Sequence, residues 1–150
     1  MTTIAMSVQQ MLDHKGGETV YVAPNNTVFE ALELMAKHEI GAVLVLENER
    51  LVGIFTERDY ARKVVLKGIT SRATQVKELM TANVVTVRPD EQIGALMNTM
   101  TRRRFRHMPV VAGDKVVGII TIGDVLKEVL DFQTQTIEQL SSYISGDLAT

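Results

Sequence analysis

The chain has 150 residues, of which 45% are hydrophobic and 23% charged, with a net charge of −2 and no cysteine. This composition fits a globular chain of one well-buried domain, or of two small units that share a core. It excludes disulfides, thiolate metal sites and cysteine nucleophiles, and it offers no global attraction to nucleic acid or to an anionic membrane. No apolar run approaches the ~20 residues of a membrane span. The opening MTTIAMSVQQMLDHKG has no cationic start followed by an apolar stretch, so a cytoplasmic location is expected.

Val8, Met11 and Leu12 in VQQML have the spacing of a short lead-in helix, and DHKGGET is a loop by composition. VYV is a short strand ended by Pro24. Thr27 with Glu30 forms a capping box for a helix whose apolar residues Val28, Ala31, Leu32 and Met35 share one face. AVLVL and LVGIF are apolar strands joined by the polar turn ENER, and a helix follows from about Glu57 to Leu66. KGITSRATQ is a linker, and VKELM repeats the lead-in spacing with Val76, Leu79 and Met80. The same order then returns: a strand at Val85 to Val87, Asp90 as N-cap, and Ile93, Leu96, Met97 and Met100 on one helical face. The strands MPVV and VVGII flank AGDK, and a last helix begins at Ile122. DFQTQTIEQLSSYISG extends that helix toward a frayed end.

This recurrence is a duplication. Asp59 and Asp124 stand 65 positions apart (124 minus 59), and that shift also superposes Val20, Val22, Pro24, Met35, Val45, Val52, Gly53, Ile54, Thr56 and Val64 on identical residues without a gap. Each β-α-β-β-α copy has an apolar sheet face that it cannot bury alone. Two copies face to face form an α+β fold with pseudo-twofold symmetry and two related clefts. The expected division is a first repeat with its lead-in helix over 1–68, a linker and second lead-in over 69–83, a second repeat over 84–132 and a helical tail over 133–150.

The duplicated motif is GIFTERD in the first copy and GIITIGD in the second. Thr-x-x-Asp at a helix start is a capping arrangement, the Thr hydroxyl accepting from a first-turn amide and the acid lying near the positive helix end. The same place, where a strand turns into a helix, presents backbone N–H groups that attract phosphate. An Asp in the first turn can accept from both hydroxyls of a ribose. Gly53 and Gly118 would let a flat base or a neighbouring backbone approach closely.

With IGAVLV, GIFTERDY, RHMPVV and GIITIGDV in one ungapped duplication, the stretch from about Val8 to Leu130 resembles a CBS-domain pair. The resemblance implies a regulatory module that binds adenosine-containing ligands: AMP, ADP, ATP, S-adenosylmethionine or NAD(H). It also implies clefts shared between repeats. The first would combine Thr56, Arg58 and Asp59 with Val84, Val85, Arg106 and His107. The second would combine Thr121, Gly123 and Asp124 with Thr19, Val20, Gly41 and Ala42, and lacks the basic pair. Gly41 and Ala42 leave room there for more than a mononucleotide, so NAD(H) is an alternative to AMP. A homodimer and a separate protein effector are expected partners.

Two further stretches lead elsewhere and are set aside. RRRFRH, residues 102–107, is basic around one aromatic, but the acidic balance and the lack of a nucleic-acid motif argue against nucleic acid; Arg102 and Arg103 suit a solvated helix end. HEIGA at 38–42 lacks the second His of a zinc motif, and His14, His38 and His107 are scattered, so no protein-bound metal is expected. No P-loop, no G-x-S-x-G and no pairing of nucleophile with base is present, so the expected protein is not an enzyme. A scaffold whose clefts stay empty is the alternative to a nucleotide sensor. It would be favoured by Asp59 and Asp124 buried in caps with no cleft before them.

Overall fold

The computed structural model describes the backbone of residues 4–149 and the side chains of residues 4–144; the frayed end expected after Gly146 is instead helical through Ala149, and Thr150 lies outside the described residues. In chain order the elements are α1 (Val8–Lys15), β1 (Tyr21–Val22), α2 (Val28–His38), β2 (Ala42–Glu47), β3 (Arg50–Thr56) and α3 (Glu57–Asp59), which continues as a π-helical segment Tyr60–Val65. Then come α4 (Val76–Leu79), α5 (Ile93–Arg103), β4 (His107–Ala112), β5 (Lys115–Thr121) and α6 (Ile122–Ala149).

Strand β1 pairs parallel with β2, which pairs antiparallel with β3. The hairpin closes through Asn48 and Glu49, both left-handed with φ of 51° and 67°, as a two-residue turn between twisted strands requires. AVLVL is apolar throughout because both faces of β2 are covered. Val43 and Val45 join Phe55 and the α2 residues Val28, Ala31 and Met35 in one core, while Ala42 and Leu44 join Ile54 in a central layer against Val84, Val116 and Ile119. The capping box of α2 forms as expected, with Thr27 Oγ1 accepting from the Glu30 amide at 3.1 Å and Glu30 Oε1 from the Thr27 amide at 3.1 Å.

The second repeat departs from the first at three expected features. Its opening strand is reduced to a single bridge between Val87 and Val110. In the first repeat the Leu44 amide donates to the Val20 carbonyl at 3.3 Å, and the matching position is Pro109, which has no N–H to donate. The N-cap of α5 is Gln92 rather than Asp90, and Asp90 instead accepts from Arg88 Nε at 3.2 Å. The helix after β3 is α-helical for one turn only and then π-helical, with the Leu66 amide reaching the Ala61 carbonyl, whereas its counterpart α6 carries on as an α-helix.

The two lead-in helices are exchanged. Val8 and Met11 of α1 lie in the second repeat's core with Val87, Ile93, Leu96 and Val110, and Val76 of α4 lies in the first repeat's core. The hydrogen bonds repeat with the pseudo-symmetry: Val8 N to Glu91 O and Gln9 N to Pro89 O on one side, Val76 N to Asn26 O and Lys77 N to Pro24 O on the other. The two motif glycines serve this docking. A Cβ on Gly118 would lie 2.8 Å from Leu12 Cδ2, and one on Gly53 would lie 2.9 Å from Met80 Cγ and 3.1 Å from the Thr81 carbonyl oxygen. The close neighbour is therefore a lead-in helix, not a flat base.

Candidate functional site

Both Thr-x-x-Asp motifs form caps. Asp59 Oδ2 accepts from the Thr56 amide at 3.0 Å and from Thr56 Oγ1 at 3.1 Å, while Thr56 Oγ1 accepts from the Asp59 amide at 3.1 Å. Asp124 Oδ2 accepts from the Thr121 amide at 2.8 Å, and Thr121 Oγ1 accepts from the Asp124 amide at 3.1 Å. Capping alone thus accounts for the motif locally.

In front of Asp59, however, lies a cavity of about 660 Å³, within the size range of small-molecule sites. All seven residues expected in the first cleft line it: Thr56, Arg58, Asp59, Val84, Val85, Arg106 and His107. Strand β3 delivers Thr56 and Asp59 at its end, and the segment after α4 brings Val84 and Val85 across from the other repeat. The turn between α5 and β4 supplies the basic rim. Gly41, expected in the second cleft, stands in this wall, where a Cβ would be 3.5 Å from His107 Nε2. Ala42 is buried in the central layer and does not line this cavity.

Sequence reasoning missed Glu57, Thr81, Asn83, Arg104 and Phe105, which also line the cavity. The signal for Arg104 and Phe105 was at hand, since they immediately precede the basic pair in RRRFRH, whose first two arginines are exposed on the last turn of α5 as expected. Among the described residues, Arg58, Arg104 and Arg106 have no carboxylate within ion-pair distance. Three uncompensated guanidiniums at one cavity give it a positive character that the net charge conceals. Burial pushes the His107 imidazole below its ordinary pKa, partly offset by the neighbouring Glu57 carboxylate.

Asp59 has a second set of partners. Its Oδ1 pairs with Lys63 Nζ at 3.1 Å and accepts from Thr81 Oγ1 at 3.4 Å, and the same Lys63 Nζ donates to the Leu79 carbonyl at 3.0 Å. A ribose reaching this carboxylate therefore has to displace Lys63 or Thr81, and with Lys63 goes a tie to the end of α4.

The second cleft is held differently. Lys15, from the lead-in helix, places Nζ 2.9 Å from Asp124 Oδ2 and 2.8 Å from the Ile119 carbonyl oxygen. One turn further along α6, Glu128 Oε1 meets His14 Nδ1 at 3.0 Å. Glu128 takes the place of Lys63, so the acid that cannot find a cation on its own helix finds one on α1. Thr121 and Asp124 are brought beside Lys15, Gly123 is exposed, Thr19 is half-buried, and Val20 packs on the first repeat's core.

No group of three or more His, Asp or Glu among the described residues is placed to hold a metal ion, and no helix there is long and apolar enough to cross a membrane. A model of the CBS domain matches residues 17–66 and again residues 76–131.

The chain belongs to the CBS domain family.

A mitochondrial CBS domain-containing protein of Arabidopsis thaliana, CBSX3, is 33% identical over 150 residues, covering 97% of this chain and 73% of that one. A signal-transduction protein with CBS domains from Burkholderia ambifaria is 44% identical, with a TM-score of 0.80 over 84% of this chain and 95% of that one. The CBS domain pair of protein MJ0100, solved with methylthioadenosine and S-adenosylmethionine, is 26% identical with a TM-score of 0.74, covering 84% of this chain and 97% of that one. The mixed helix and sheet architecture is that of a CBS domain pair, and CBS pairs are regulatory modules.

Proposed function

We propose that this CBS protein is a non-catalytic sensor that binds an adenosine nucleotide of the AMP type in the cleft before Asp59 and passes occupancy to a protein effector. The observation that carries this reading is the convergence on one cavity of the Thr56–Asp59 pair and three guanidiniums without carboxylate partners. The pair suits a ribose, and Arg58, Arg104 and Arg106 suit phosphate. That a CBS pair at 26% identity holds adenosine derivatives supports the adenosyl part of the ligand. S-adenosylmethionine and NAD(H) are the competing ligands; the arginine-rich wall favours the phosphorylated ones, AMP, ADP or ATP. The second cleft needs Lys15 to leave Asp124 before a ribose can enter, so one nucleotide per chain is the proposed stoichiometry.

Displacement of Lys63 from Asp59 would release its bond to Leu79 and so loosen α4, the helix that docks on the first repeat and leads into the second. This is a differential interaction through which occupancy can select one arrangement of the repeats. A homodimer belongs to the same proposal, supported by the exposed apolar residues Val65 and Leu130 at matching places in the two repeats, with Leu66 and Leu126 exposed close by in the chain. A cytoplasmic location belongs to it as well, supported by the cysteine-free composition.

One observation favours the rival reading of a scaffold with empty clefts: every oxygen of Asp59 already has partners within the chain. Titration calorimetry with AMP, ATP, adenosine, NAD and S-adenosylmethionine decides. Saturable binding of one AMP per chain, tighter than adenosine, is the expected result. No heat with any of the five would leave the scaffold reading standing and remove the sensor.

A further inference from the structure

Helix α6 runs 28 residues, and its outer part has nothing beneath it: every residue from 133 to 144 is exposed. Yet it is not polar all round. Leu126, Leu130, Ile137, Leu140 and Ile144 are between 54% and 63% exposed, with Tyr143 beside them at 69%. Leu126 and Ile144 are 18 residues apart (144 minus 126), which is about five turns, so they share one line along the helix. The others fall between them at steps of three and four residues, broken once by Gln133. This is the narrow apolar stripe of a helix–helix seam.

The stripe reads the same from either end, because its steps are four, three, four, three and four. A helix laid on it in the opposite direction with the same sequence sets Leu126 against Ile144 and Leu130 against Leu140, apolar on apolar, and leaves Gln133 beside Ile137 as a polar break at the centre. In that arrangement the anchored half of α6, where Val125 and Glu128 are buried against the body while Leu126 and Leu130 are exposed, would have its exposed side covered by the free half of another copy. The flanking positions are Lys127, Val129, Thr134, Thr136, Ser141 and Tyr143; the single charge among them, on Lys127, falls near the partner's Ser141, which is uncharged, so no like charges oppose one another. The half-exposed large side chains from two copies together are on the scale of the roughly 1,000 Å² that a specific interface needs. An isolated helix of this length is marginal in water, so the free half gains most from such a partner.

We propose that the α6 helices of two chains pair antiparallel along this stripe, each free half lying on the partner's anchored half. The proposal rests on the homodimer stated above and specifies how it is closed. The seam is isologous, so it stops at two chains.

The absence of cysteine makes the test direct. Leu126 and Ile144 lie about 27 Å apart in one helix, far beyond disulfide reach, so a bond between cysteines there can form only between chains. The double variant Leu126→Cys with Ile144→Cys is expected to give a covalent dimer on oxidation, and each single variant to stay uncrosslinked on a non-reducing gel. Crosslinking of Ile144→Cys alone overturns the proposal in favour of parallel helices. Leu140→Glu, at an exposed position outside the nucleotide cleft, is expected to give a 16.6 kDa monomer by light scattering with AMP binding unchanged. A Leu140→Glu protein that remains dimeric overturns the seam but leaves the homodimer intact, whereas a monomeric parent chain removes both.

Discussion

Replacing Asp59 by Ala separates the two roles its carboxylate can have. The side chain is almost fully buried and closes a cap with Thr56. Losing a cap costs about 1 kcal/mol, and losing the half-screened contact with Lys63 adds about 0–1 kcal/mol. At this chain length each kcal/mol is a melting shift of roughly 2–4 °C, so the free variant should melt about 2–8 °C below the parent. AMP at about 100 times its Kd adds about 2.7 kcal/mol to the parent, a rise of roughly 5–10 °C. A carboxylate that only caps lowers the melting temperature by the same amount with and without AMP. A carboxylate that holds the ribose chiefly abolishes the AMP-induced rise, and this is the expected result. Thermal denaturation followed by circular dichroism, at fixed protein concentration with and without AMP, reads both effects. An undiminished rise in the Asp59→Ala protein would refute the assignment of this cleft.

Arg106→Ala removes one guanidinium from the wall and should weaken AMP about tenfold to a hundredfold, as expected for a charge-assisted bond, with adenosine little changed; equal losses for both ligands in calorimetry would remove the phosphate role. Lys15→Ala frees Asp124, and the expected change is a second, weaker AMP per chain, whereas an unaltered stoichiometry of one would show that Lys15 does not close that cleft. The pKa of His107 is lowered in the folded chain, so unfolded chains take up a proton first as pH falls through 6.5, and the stability of the neutral imidazole is progressively lost below that point. His107→Gln should therefore narrow the difference in melting temperature between about pH 7.5 and about pH 5.5, and an unchanged difference would contradict the assigned shift.

Local pattern carried the elements well, because period and turn chemistry are properties of short windows. The α2 capping box, the two hairpins and the apolar faces of α2 and α5 lie where their spacing puts them. The resemblance to a CBS pair then assigned Val84, Val85, Arg106 and His107 to the cleft of Asp59, though they are far away in the chain, and all four line that cavity. What failed was of two kinds. Pro109 stands where Leu44 stands in the first copy, and its missing N–H, legible in the sequence, removes a bond that the strand expected at Val85 to Val87 would need. The exchange of α1 and α4 was not legible, since Val8 and Val76 have the same spacing whichever core receives them. Lys15 escaped because it lies where the first copy carries three extra residues, so the duplication offers no partner by which to judge it.

The exchange of lead-in helices bears on the order in which the molecule can assemble during synthesis. Met11 is made well before its neighbours Ile93, Leu96, Met108 and Ile120. Helix α1 must therefore wait, unpaired, while the intervening chain is made, with Val8 and Met11 open to water until β5 has emerged. The first repeat is less delayed, because Val76, the piece it borrows, follows it directly along the chain. Folding on the ribosome should proceed from residue 20 onward before it closes back on the N-terminus. A fusion partner or arrest that held residues 8–15 would leave the first core intact while denying the second one wall.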